Sequence, residues 1–386
     1  MSTVSTGVRA RVRCATAMFQ PRQAAAPGVL DIPEYVPGRS IEQVAREAGR
    51  DDLIKLASNE NPFGMSPRAA AAINAAIPRA AQYPEVYETE LQDALAAHCG
   101  VGSANIITGN GADSIIYLAA LAFLKPDDEV IIPELTFDMY AIAARSKGAI
   151  PVSAAMPNLE IDADQILSAV TERTRMLFLC NPNNPTGTLL AQSGLDRLRA
   201  ALPDRVFVVY DEVYADFAPP DRMPSLATPA VAGECGAVVV RSLAKSHGLA
   251  GVRFGYGIAS AETIAVLQRV RPPFDTSVLA QRAAVAALTD AEFLRRTVSN
   301  NDAGRRAVTA GVEELGMQPV PSAANFVLFD TGRDAAALAA ALEQRGVIVR
   351  VPRAPRLSGY LRVSVGVPDE VQRFLAALAD AVGGDA

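Results

Sequence analysis

From about residue 105 onward the chain alternates short runs of β-branched residues with alanine-rich stretches of helical character. Residues 105–108 predict a strand, followed by the turn Gly109-Asn110-Gly111 and a helix over about 112–124. Residues 129–133, 176–180, 205–210 and 237–241 read as further strands. These runs are apolar on both faces, which suits a sheet covered by helices on either side, and the alternation predicts βα units stacked into a mainly parallel sheet. After about residue 290 the character changes. Two longer helical patterns, about 291–315 and 333–345, interleave with short strands at 325–329, 347–351 and 361–365, and an amphipathic helix over about 368–382 follows. The fold class expected is α/β, a large doubly wound domain plus a smaller α+β domain, with no internal repeat.

The polar residues at the strand ends matter most. The run 176–180 passes into Asn181-Pro182-Asn183-Asn184-Pro185-Thr186-Gly187, the next strand into Asp211-Glu212-Val213-Tyr214, and the third into Ser242-Leu243-Ala244-Lys245. Open α/β sheets bind ligands at the carboxyl ends of their strands, so these three clusters should converge on one crevice.

Composition removes several classes of function. The 386 residues are 50% hydrophobic, which argues against disorder, and 36 basic against 42 acidic residues offer no excess to attract nucleic acid or an anionic membrane. No apolar run approaches the roughly 20 residues of a spanning helix. Cys14, Cys99, Cys180 and Cys235 lie too far apart for a metal knuckle or a disulfide framework, and reduced thiols in a cytoplasmic protein are expected. The first thirty residues hold Arg9, Arg11, Arg13 and Arg22 without an acid and lack the apolar region of a secretory signal, so residues 1–28 are expected to form a flexible tail or to follow a start site placed too early. Only four lysines exist, Lys55, Lys125, Lys147 and Lys245, so any lysine chemistry has four candidates.

Lys245 lies between a buried strand and Gly248-Leu249-Ala250-Gly251, followed by Arg253. Desolvation or a neighbouring cation lowers a lysine pKa and lets the amine form Schiff bases, although a lysine standing alone there reads as a surface residue in a loop. Asp211 ends the apolar run Val206-Phe207-Val208-Val209, where a buried carboxylate needs a cation or strong donors, such as a protonated pyridine nitrogen; capping a following helix is its structural alternative. Gly109-Asn110-Gly111-Ala112-Asp113-Ser114 is a glycine turn feeding a helix, suited to a phosphate or serving as a plain N-cap. Ser242 and Arg253 could add a hydroxyl and a guanidinium to the same phosphate.

Together NPNNPTG at 181–187, DEVY at 211–214 and SLAKSHGLAGVRFG at 242–255 resemble the class I/II pyridoxal-phosphate aminotransferases of fold type I, most closely the histidinol-phosphate and aromatic aminotransferase subgroup. The resemblance runs from about residue 35 to 366. It implies pyridoxal 5'-phosphate as cofactor, held covalently by Lys245, with Asp211 on the pyridine nitrogen and Asn184 and Tyr214 on the phenolic oxygen. It implies that Phe137 stacks on the ring, that Gly111, Ala112, Asp113, Ser242 and Arg253 form a phosphate cup, and that Tyr83 reaches the phosphate of the other subunit of a homodimer. The alternative for Phe137 is an ordinary core position.

At the substrate end the resemblance implies that Arg362 clamps a carboxylate, with Asn325 and Asn184 beside it, and that Tyr35, Asn61 and Arg350 form the side-chain pocket. A solvated surface position is the alternative for Arg350. Three positions depart from the subgroup: Ser114 replaces its usual Glu, Ala244 a frequent Ser, and His247 a common aromatic, read here as a packing change. Arg353 and Arg356 add charge to the loop after Arg350. The implied domains are an arm at 29–64 contributing to the small domain and substrate site, a cofactor domain at 65–285 and a small domain at 286–386. The expected reaction moves an amino group from histidinol phosphate or an aromatic amino acid to 2-oxoglutarate. Two rivals are a pyridoxal-phosphate decarboxylase of a phosphorylated amino acid and a non-enzymatic ligand sensor.

Overall fold

The computed structural model describes residues 20–34 and 39–383. The described strands are β1 (Ile54–Lys55), β2 (Ile106–Asn110), β3 (Glu129–Pro133), β4 (Ile150–Ala154), β5 (Thr174–Cys180), β6 (Phe207–Asp211), β7 (Ala237–Ser242), β8 (Phe254–Ile258), β9 (Gln318–Pro319), β10 (Phe326–Asp330), β11 (Val347–Ile348) and β12 (Tyr360–Ser364). Seven of them form one sheet in the order β2-β8-β7-β6-β5-β3-β4, in which β8 alone runs antiparallel to its neighbours.

Alternation along these strands divides the core. Leu177 and Leu179 of β5 with Val208 and Tyr210 of β6 face helices Gln192–Ala201 and Val278–Leu288, through Leu195, Leu198, Ala280 and Ala284. Met176 and Phe178 with Val209 face helices Ala112–Phe123 and Met139–Ser146, through Ile115, Ile116, Tyr140 and Ala143. A sheet apolar on both faces is stable only with both faces covered, and here both are.

Two strands of this sheet lie outside the sequence expectation, as do the two-residue strands β1 and β9. β4 is an edge strand with Pro151 inside it and Ile150 exposed, a composition that reads as loop. β8 carries Gly255 and Gly257, and glycine weakens a strand prediction; a Cβ on Gly255 would sit 2.3 Å from the Ala112 nitrogen, so the residue lets the helix start at Ala112 lie directly on the sheet.

The C-terminal part folds as the antiparallel sheet β12-β10-β9 against helices Ala291–Glu314, Ala335–Gln344 and Pro368–Gly383, with Val308, Phe329, Val363 and Phe374 in its core. The run 347–351 forms less strand than its composition suggests. β11 pairs only at Val347 and Ile348, in parallel with β1, and Arg350 then crosses to a bridge with Arg362. Through β1 and the buried Leu56 the N-terminal arm joins this second core. Residues 20–28, expected in the tail, include the short helix Pro21–Ala24. Among the described residues no helix is long and apolar enough to cross a membrane, and no group of three or more His, Cys, Asp or Glu is placed to hold a metal.

Candidate active site

The carboxyl ends of β5, β6 and β7 open into a cleft with a cavity volume of about 750 Å³, bounded on the far side by β12 and the loop 350–355. Lys245, Asp211, Tyr214, Asn184, Ser242, Phe137, Arg253 and Arg362 all line it, together with Ala112 and Asp113.

Asp211 is buried, and its carboxylate accepts the Tyr140 hydroxyl at 2.7 Å and the Val213 N–H at 2.9 Å. Burial raises its pKa to about 6, because two neutral donors do not replace the water a carboxylate loses. Tyr140 is fully buried, stacked on Phe178 and edge-on to Phe137, so the ring lining the cleft and the phenol orienting Asp211 belong to one aromatic cluster. Lys245 donates to the Ser58 carbonyl at 3.3 Å, and desolvation, with Arg362 next, lowers its amine to about 8. Tyr214 lies beneath that amine, 6.0 Å from Nζ to ring centroid, and accepts a hydrogen bond from Asn59 Nδ2 at 3.0 Å.

Helix Ala112–Phe123 begins without a side-chain cap, leaving its first N–H groups for an anion. Gly111, at φ +84°, sets that start, and a Cβ there would lie 2.5 Å from the Arg253 guanidinium. Arg253 pairs with Asp113 at 3.0 Å. Ser242 turns its hydroxyl to the Phe254 carbonyl at 3.0 Å and accepts the Ala244 N–H, so it would serve a phosphate only after its proton changes partner. Ser114 donates to Asp275 at 2.8 Å.

At the other end Arg362 donates to Asn184 Oδ1 at 2.6 Å and to the Ala57 carbonyl at 2.8 Å, over the Phe326 ring. That bond leaves the Asn184 N–H groups as its available donors. Arg350 and Arg353 also line the cleft, whereas Arg356 is tied to Glu134 and the Met156 carbonyl.

Three expected residues stand elsewhere. Asn61 lies behind Lys245, bonded through Nδ2 to the Lys245 and Ser246 carbonyls and Thr297, so it braces the lysine loop rather than the pocket. Asn325 gives its N–H to the Asn59 carbonyl at 3.0 Å, while its buried Oδ1 has no hydrogen-bond partner among the described residues. Tyr83 is 83% exposed, stacked on Phe274 outside the cleft. Tyr35 lies outside the described residues. His247 is buried against Ser246, as a packing residue would be. Tyr140, Ser58, Asn59 and Ser364 were missed by the sequence reading; the signal for Tyr140 was its place three residues after Phe137, and for Asn59 its place in Ser58-Asn59-Glu60-Asn61.

The crystal structure of histidinol-phosphate aminotransferase from Sinorhizobium meliloti in complex with pyridoxal-5'-phosphate matches with a TM-score of 0.87 over 96% of this chain and 100% of that one, at 26% identity. The architecture is therefore that of a fold type I aminotransferase. The sequence comparison goes further: residues 51–378 match the family model described as aminotransferase class I and II, and the chain belongs to that family. Histidinol-phosphate aminotransferase of Moorella thermoacetica is 40% identical over 352 residues, 91% of each chain. Histidinol-phosphate aminotransferase 2 of Ralstonia nicotianae is 43% identical over 357 residues, 91% of this chain and 95% of the relative.

Proposed function

We propose that the protein is a cytoplasmic, homodimeric, pyridoxal-phosphate-dependent aminotransferase that takes the amino group of histidinol phosphate, or of an aromatic amino acid, and passes it to 2-oxoglutarate. The donor set of the cleft fits the cofactor: a buried carboxylate short of a cation for a pyridine nitrogen, a phenol and an amide for a phenolic oxygen, an amine for an aldehyde, and an uncapped helix start with Arg253 for a phosphate. When bound, pyridoxal phosphate supplies an aldehyde that condenses with amines and a ring that withdraws electrons from the substrate Cα.

The chain's residues supply the rest. Asp211, oriented by Tyr140, would hold the ring nitrogen and keep it protonated. Lys245, whose amine is neutral in part near neutral pH, would hold the cofactor's aldehyde and serve as the base for the substrate Cα proton. Phe137, which lines the cleft, would cover one face of the ring. Tyr83, exposed on its own subunit, reaches the partner's phosphate site.

The observation carrying the substrate assignment is the pair Arg350 and Arg353, which line the cleft beside Arg362 with no salt bridge to an acid among the described residues. Two guanidiniums in a cleft, neither in a salt bridge among the described residues, suit a doubly charged phosphate or a second carboxylate. Histidinol phosphate carries the former and 2-oxoglutarate the latter. Arg350→Ala should weaken histidinol phosphate by one to two decades, about 1.5–3 kcal/mol for a charge-assisted pair, and phenylalanine far less. Steady-state kinetics with each donor, read as glutamate formed, tests this; equal losses for both donors, or activity confined to small aliphatic donors such as alanine, would refute the substrate assignment.

A further inference from the structure

The segment 56–61 threads between the large sheet and the small domain. The Ala57 carbonyl accepts from Arg362, the Ser58 carbonyl from Lys245, and Asn59 stands between Tyr214 and Ser364. Building on the cofactor reading above, we propose that Asn59 is a positioning residue for Tyr214: it supplies the phenol oxygen with an N–H, so that the phenol's own proton is directed into the cleft, toward the phenolic oxygen of the cofactor.

The direction of the bond follows from a closed set of partners. The Asn59 backbone N–H donates to Ser364 Oγ at 2.8 Å, and that hydroxyl donates to Asn59 Oδ1 at 3.1 Å. Turning the amide over would leave the buried Ser364 proton without an acceptor among the described residues, so Nδ2 is the atom that faces Tyr214. Asn325 fixes the same residue from a third side through the Asn59 carbonyl. Tyr214 oxygen therefore already receives one donor, and its proton needs an acceptor elsewhere. Asn59 sits at φ +55° with 2% of its surface exposed, and an asparagine held buried in the left-handed region is there for its amide, because glycine would fit that backbone more easily. The charged or titratable groups facing Tyr214 are Arg362, Lys245, Asp211 and the Cys180 thiol; none of these takes its proton in the structure.

The test uses the protein loaded with pyridoxal phosphate and follows its visible absorbance against pH, which reports the proton on the nitrogen joining Lys245 to the cofactor. Removing the phenol's hydrogen bond leaves more negative charge on the phenolic oxygen, so that nitrogen should hold its proton about tenfold more tightly, a rise of about one unit in the midpoint. Tyr214→Phe should show this rise. Asn59→Asp should show it too, because the carboxylate accepts the Tyr214 proton and draws it out of the cleft. The double variant should match Tyr214→Phe alone. Should Asn59→Asp fail to fold, Ser364→Ala releases the amide and should move the midpoint in the same direction by less. Midpoints for Asn59→Asp and Ser364→Ala equal to wild type, with Tyr214→Phe shifted, overturn the inference while leaving the cofactor reading standing. A shift by Asn59→Asp that persists in full without the phenol overturns it as well, since it would then be the effect of an added charge. A wild-type protein without a visible band overturns the cofactor reading and this inference with it.

Discussion

Asp211 ends a strand of apolar residues with only a phenol and one backbone N–H as donors among the described residues, and its pKa stands at about 6 instead of 3.8. Between those values the cofactor-free native state binds more protons than the unfolded chain, so this carboxylate makes stability fall as pH rises from about 4 to 6. A shift from 3.8 to about 6 corresponds to about 3 kcal/mol as an upper limit. Asp211→Asn should therefore flatten that part of the apoprotein's stability profile and raise its neutral-pH melting temperature relative to wild type, while weakening pyridoxal phosphate binding at least tenfold. Thermal melts from pH 4 to 7 with and without cofactor check both signs; an apoprotein made less stable by the change would contradict the account. Lys245 gives a second titration. Its amine, lowered from 10.5 to about 8, should react with aldehydes with a midpoint near pH 8, measurable as the rate of cofactor capture against pH. Both residues were legible because a charged side chain at the end of an apolar run demands a partner. Tyr140 and Asn59 were not, because each acts on a residue 71 or 155 positions away and neither breaks a local pattern.

At the scale of elements, the contact between β8 and the start of helix Ala112–Phe123 fixes the anion site. Gly255 places its strand against the Gly111–Ala112 peptide, where a methyl group would meet backbone that has no side-chain freedom to yield. Gly255→Ala should cost about 1–3 kcal/mol of stability by overpacking and weaken inorganic phosphate and cofactor binding together. Gly251→Ala, with nothing within 4 Å of the added carbon, should leave both nearly unchanged. Denaturant melts and phosphate titrations of the two variants make the comparison, and equal effects would remove the helix-start site from the account. The same glycines explain why β8 was hidden in the sequence: the packing that requires them deletes the β-branched signal by which the parallel strands were recognised. The strands β3, β5, β6 and β7 stood out because both of their faces are buried, and the edge strand β4 did not because its residues are half exposed and one is proline.

Across the whole molecule, the arm segment from β1 to Asn61 carries the link between the two cores. It pairs with β11, bonds Ser364 and Asn325 on one side, and reaches Tyr214 and the Lys245 loop on the other. A change in the position of the small domain is therefore felt at the lysine through this segment, alongside the direct bond from Arg362 to Asn184. The proposed homodimer is tested at the exposed pair Tyr83 and Phe274, stacked at 4.5 Å: sedimentation should show a dimer for wild type and for Tyr83→Ala, and cofactor titration should show lost affinity in the variant. A wild-type monomer with full activity would contradict the cross-subunit role. The central claim is that Lys245 is the residue on which the cofactor is held, and among only four lysines it has a direct test. Borohydride reduction of the pyridoxal-phosphate-loaded protein, followed by peptide mass mapping, should place one cofactor per chain on the peptide containing Lys245. Label on Lys55, Lys125 or Lys147 instead, or no stable label at all, would contradict it.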